Sequence, residues 1–148
     1  MTELIQDAIN LLQGELSPEA GIVLDISQEQ LLPMAQMLQR SSITKTRQTR
    51  LLSLYLAIKF ALLRHDCCQG SGMELTRSVL DGDYLYSFYM QLALKWGEYD
   101  LLQALARTVK QIQIHRTEGH PADELLLKGM KNFLQLEAER NHPTVQAI

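Results

Sequence analysis

Met73–Trp96 reads MELTRSVLDGDYLYSFYMQLALKW, and Leu75, Val79, Gly82, Tyr86, Tyr89, Ala93 and Trp96 recur along it at steps of four and three. That spacing is the seam of an α-helix packed along another helix. Leu80, Tyr84, Leu85, Phe88, Leu92 and Leu94 fall outside the seam, so apolar side chains cover more than half of the circumference. A helix that is apolar on two sides has its own core on one and something else to meet on the other. Gly82 lowers helix stability by about 1 kcal/mol relative to Ala unless the missing side chain admits a close neighbour. The seam residues Leu75, Val79, Gly82, Tyr86, Tyr89, Ala93 and Trp96 are therefore the candidate partner interface.

The same periodicity continues on both sides. Upstream, LLSLYLAIKFALL (51–63) is apolar nearly all round and is expected to be the middle of a central core helix from Lys45 to Asp66. Before it, residues 3–13 form an amphipathic helix with Thr2 as N-cap and Gly14 as its stop. Ser27 with Gln30 three residues on opens a second helix in which Pro33 either marks the start or makes a bend. Ile22-Val23-Leu24 is β-prone but has no partner strand. Downstream, Gly97 ends the organising helix and another runs from Tyr99 to Arg116. Pro121 sits in the first turn of a last helix that reaches Arg140.

The expected fold is all-α, a bundle of about six helices. At 148 residues it forms one domain: an N-terminal helix and connector over 1–26, a helical core over 27–141 and a loose tail over 142–148.

Composition narrows the function classes. Charged residues make up 21% and hydrophobic ones 46%, with a net charge of −3, so neither nucleic acid nor an anionic membrane is an expected partner. The run 51–63 is interrupted by Ser53 and Lys59 and is too short for the roughly 20 apolar residues of a membrane span. MTELIQDAINLL has acids and no basic leader region, so the chain is expected to be cytoplasmic. The two cysteines are adjacent, Cys67 and Cys68, which rules out a disulfide framework. With His65 and Asp66 they lack the open spacing of a zinc site and read as helix-end residues.

No Walker loop, Gly-x-Gly-x-x-Gly or His-Glu-x-x-His occurs, and none of the histidines stands in a nucleophile–base motif. Asp7, Asp25, Asp66, Asp81, Asp83, Asp100 and Asp123 never stand side by side, whereas magnesium–diphosphate chemistry needs clustered carboxylates. Between Gln30 and His65 the chain has no acid but carries Arg40, Lys45, Arg47, Arg50, Lys59 and Arg64. Such a stretch either faces an anion, with Lys45, Arg47 and Arg50 as candidate diphosphate contacts, or pairs with acids elsewhere in the fold.

The string RSVLDGDYLYS (77–87) resembles the Leu-Ala-Gly-Asp-Tyr-Leu helix of trans-polyprenyl diphosphate synthases, and GEYDLLQALA (97–106) is similar to their next helix. Leu63-Arg64-His65-Asp66 stands where that family has the His-Asp-Asp of its first aspartate-rich motif. The likeness covers about residues 50–116 and is nearest to the small non-catalytic subunit, component I, of heterodimeric hepta- or hexaprenyl diphosphate synthases. Where a catalytic subunit has clustered aspartates this chain has Asp66-Cys67-Cys68-Gln69, and the second aspartate-rich region has no counterpart.

The resemblance implies an isoprenoid-synthase-like helical fragment with no catalytic role of its own and no cofactor. It implies a catalytic partner that supplies magnesium and both diphosphate sites and packs on residues 74–96 and 99–116, which adds Leu101 and Leu105 to the candidate interface. This chain would stabilise that partner and help set product length in making the menaquinone side chain. The residues alone leave a second reading open, a homodimeric helical module that binds an apolar ligand or a protein.

Overall fold

The computed structural model describes residues 2–66 and 72–141. Within them the chain forms α1 (Thr2–Glu15), a short 3-10 turn (Pro18–Ala20), α2 (Gln28–Arg40), α3 (Lys45–Asp66), α4 (Met73–Lys95), α5 (Tyr99–Thr117) and α6 (Glu124–Asn141). No strand occurs among the described residues, and Ile22-Val23-Leu24 runs as extended coil with Ile22 turned into the core. Cys67 and Cys68, most of the turn 69–72, and the tail 142–148 lie outside the described residues.

α3 is the axis of the bundle. Every residue from Leu51 to Ile58 is buried, as are Phe60, Ala61 and Leu62. A helix buried on all sides must be surrounded, and α1, α2 and α4 all pack against it. Ser53, the polar exception, is fully buried and donates its hydroxyl to the carbonyls of Ala8 (2.9 Å) and Thr49 (3.0 Å). Those bonds remove the penalty for burying it. α5 and α6 pack on each other, with Leu101, Leu105, Val109 and Ile112 facing Leu126, Met130 and Phe133. α2 joins the two halves through contacts with α1, α3 and α6.

Several helix ends depart from the expectation, each for a tertiary reason. Gly14 does not stop α1: the helix runs to Glu15, and Leu16 N–H still reaches Leu12 carbonyl at 3.0 Å. Burial of Leu16 rewards continuing past the glycine. Ser27 caps α2 by accepting from Glu29 N–H, and the helix passes through exposed Pro33 instead of starting there. So close to the N-terminus, the proline leaves only a solvent-side carbonyl unpaired. Pro121 lies outside α6, which begins at Glu124, because Arg116 holds Asp123 at 3.2 Å just before the first turn. At the end of α4, Gly97 takes φ 72° and Glu98 N–H turns back to Ala93 carbonyl at 2.8 Å. This left-handed reversal is what glycine permits.

Candidate functional site

The two apolar sides of α4 have different fates. Inward, Leu85, Tyr89, Leu92 and Ala93 are buried, and Gly82 is buried with them. Gly82 lies directly under the His65 ring at the end of α3, so close that a Cβ there would fall 2.3 Å from His65 Cδ2. The glycine thus lets α3 and α4 approach, and His65 crosses it to bond Asp83 (Nε2 to Oδ1, 3.0 Å). Tyr84 stacks on Phe88 along one edge, with ring centroids 5.7 Å apart. Burial pushes the phenols of Tyr86 and Tyr89 up, Tyr89 well beyond the usual range.

The expected interface residues are divided in the same way. Gly82, Tyr89, Ala93, Leu101 and Leu105 are buried inside the monomer, and Leu75, Tyr86 and Trp96 are half-buried. Of the nine candidates only Val79 is exposed. The seam closes on this chain's own core because the glycine belongs to the side that must meet α3 most closely.

The opposite side is what solvent sees. Between Arg77 and Lys95 the exposed positions of α4 are Val79, Leu80, Asp83, Ser87, Met90, Gln91 and Leu94. Asp83 is the single charge among them, and His65 holds one of its oxygens. Met73 extends the apolar strip at the start of the helix and Tyr99 lies beyond its end, both well exposed. Leu80 and Leu94 are each more than half exposed. A solvated helix face normally carries charges at most positions, and this one does not.

The three candidate diphosphate contacts find partners within the chain. Arg47 reaches across the bundle, with Nε and Nη2 to the carboxylate of Glu98 (2.9 and 2.8 Å) and Nη1 to Glu137 (3.1 Å). Both glutamates are only 5% exposed; Arg47 is the cation that meets Glu98, and it shares Glu137 with Arg140 (3.3 Å). The Glu98 hydrogen bonds, opposed by desolvation, drive the guanidinium's already high pKa higher. Lys45 meets Glu3 at 3.3 Å on the surface. Arg50 lies over the Trp96 ring, 5.6 Å from its centroid. Lys45 and Arg50 also border an open hollow of about 610 Å³ between α1 and α3, with Asp7, Thr46 and Thr49.

The aspartates are similarly engaged. Asp66 pairs with Arg116 (2.9 Å), Asp81 with Arg77 (2.9 Å), Asp83 with His65, and Asp100 with Arg140. Asp123 shares Arg116, and burial pushes its carboxyl above the ordinary range. Asp66 and Asp123 meet on one arginine while Asp81, Asp83 and Asp100 turn to separate partners, so no three of their carboxylates converge as a magnesium ion's octahedral shell requires. Among the described residues no group of three or more His, Cys, Asp or Glu side chains is placed to hold a metal. His115 and His120 are exposed, and no helix of the described residues is long and apolar enough to cross a membrane.

Comparison with family models, with characterised proteins and with solved structures finds no match for this chain.

Proposed function

We propose that this chain is the non-catalytic regulatory subunit of a heterodimeric trans-polyprenyl diphosphate synthase. It docks through the outer face of α4 on a catalytic subunit, stabilises it and helps set the length of the prenyl product, a precursor of the menaquinone side chain. The observation that carries the reading is the exposed apolar strip of Val79, Leu80, Met90 and Leu94, on the helix whose sequence resembles that family's Gly-Asp-Tyr helix. The engagement of Asp66 and Asp81 with arginines and of Asp83 with His65 supports leaving magnesium, both diphosphate sites and carbocation chemistry to the partner.

Asp83 lies about one turn from the lengthwise centre of that strip. An antiparallel two-fold pairing of α4 about that centre would set each Asp83 carboxylate against the apolar Met90 of the second copy, which is unfavourable at a buried seam. A different subunit can place a cation there, so the heterodimer is preferred over a homodimer.

The test is co-expression with a catalytic subunit encoded beside this chain, followed by size exclusion and a prenyl-transfer assay. A 1:1 complex whose product length or activity differs from the catalytic subunit alone is expected. Leu80→Lys with Leu94→Glu should abolish the complex and leave the helical content of the isolated chain unchanged. Failure to co-elute, or a partner whose activity ignores this chain, would refute the reading. Light scattering of the isolated chain separates the homodimer.

A further inference from the structure

A second surface lies between α2 and α6. Two hollows, of about 620 Å³ and about 240 Å³, share Met37, Arg40 and Lys131 and so join into one groove. Along α6 its lining runs from Glu124 to Ala138, about 21 Å at 1.5 Å per residue. Leu127 and Leu134 supply apolar wall on either side of its middle, with Met37 opposite. The middle itself is basic on both sides: Arg40 comes from α2, Lys128 and Lys131 from α6.

All three cations are exposed, and none forms an ion pair or hydrogen bond with a described residue. Elsewhere this chain pairs its cations readily, as Lys45, Arg47, Arg77, Lys95, Arg116 and Arg140 do. Three free cations against one carboxylate, Glu124 at the end of the groove, also run counter to the net charge of −3.

We propose that the α2–α6 groove receives an acidic amphipathic helix of a partner protein. A third helix laid in the cleft between two packed helices is the ordinary ridge-in-groove arrangement, and helix-in-groove docking reads anchors one turn apart. The order of chemistry along the groove selects this occupant: apolar, basic, apolar. A helix with carboxylates at its centre and leucine-like anchors one turn to each side matches that order. An anionic amphiphile has one head at one end and would lay its chain across the cations. Met37, unbranched and polarisable, can adjust to the incoming side chains. Neither α2 nor α6 contributes to the α4 strip, so this proposal stands or falls separately from the synthase reading.

The probe is a synthetic helical peptide of roughly fifteen residues, enough to fill the groove, with leucines one turn apart and two central glutamates. Its binding to the isotope-labelled full chain is followed by fluorescence anisotropy and amide chemical shifts. Saturable binding is expected, with shifts concentrated in α2 and α6. Binding should weaken at least about tenfold on Lys128→Glu with Lys131→Glu, or when the peptide glutamates are replaced by lysines. Arg40→Gln should weaken it to a smaller degree, giving a second variant should the double one be poorly folded. No saturation, equal affinity for the lysine peptide, or shifts centred on α4 would overturn the proposal. So would binding to phosphatidylglycerol vesicles that the acidic peptide does not displace, which would assign the groove to a lipid surface.

Discussion

Gly82→Ala sets two opposing effects against each other in one place. In an ordinary helix interior the change stabilises by about 1 kcal/mol, through helix propensity and a less flexible unfolded chain. Here the new Cβ would stand 2.3 Å from His65 Cδ2, 2.4 Å from Nε2 and 3.1 Å from Cγ. Comfortable carbon contact begins near 3.5 Å, so the ring must withdraw by more than about 1 Å. The 3.0 Å bond to Asp83 does not survive that movement. Overpacking of this kind costs about 1–3 kcal/mol, and the lost hydrogen bond about 0.5–1 kcal/mol because Asp83 is largely exposed. The net is a loss of about 0.5–3 kcal/mol, which for a chain of this size lowers Tm by about 1–12 °C. Thermal and urea unfolding followed by far-UV circular dichroism measure it. His65→Ala alone should cost under about 1 kcal/mol, and adding Gly82→Ala to it should raise stability, since the obstacle is gone. An intact-His65 Gly82→Ala chain that gains the usual alanine increment, or a cycle without coupling, refutes the close-approach account of this glycine.

Two other glycines make contrasting cases. Gly14→Ala, with nothing within 4 Å of the added Cβ, should stabilise by about 0.5–1 kcal/mol, whereas Gly129→Ala, whose Cβ would meet Thr108 Oγ1 at 2.9 Å and Leu105 Cδ2 at 3.2 Å, should not; urea midpoints distinguish them. Arg47→Met leaves Glu98 buried without its cation and Glu137 with Arg140 alone, and should cost about 3 kcal/mol or more; a loss under about 0.5 kcal/mol would show that the cluster is not structural. Tyr89 is raised by burial, so the folded chain keeps its phenolic proton after the unfolded chain begins to lose it near pH 10; stability should therefore fall above that pH, by up to about 1.4 kcal/mol per pH unit. Tyr89→Phe should shrink that alkaline loss. It should be neutral or up to about 1 kcal/mol stabilising at pH 7, because the hydroxyl finds no hydrogen-bond partner among the described residues.

Local chemistry in the chain was enough for the helices themselves. The run from Leu51 to Leu63, apolar but for Ser53 and Lys59, marked α3 as the helix that others surround, and the bounds Lys45–Asp66 follow from where the periodicity begins and ends. Ser27 announced a cap and Gly97 a stop, because capping and left-handed reversal depend on residues a few positions apart. Even the meaning of Gly82 was half legible: a glycine inside a strong helix implies that something comes close.

What had come close, and therefore which apolar side of α4 turns inward, was decided by His65 arriving from α3. The pattern on α4 is apolar on both sides, and a period of 3.6 carries no sign saying which side is the core. In the same way Arg47 could be read as an anion contact until Glu98 and Glu137 came to it from 51 and 90 residues away. The free cations of the α2–α6 groove are invisible along the chain for the same reason, since Arg40 and Lys131 share a wall only once those helices pack. Periodicity records what each residue's near neighbours permit; burial, pairing and exposure are settled between residues that only the closed bundle brings within a few ångströms.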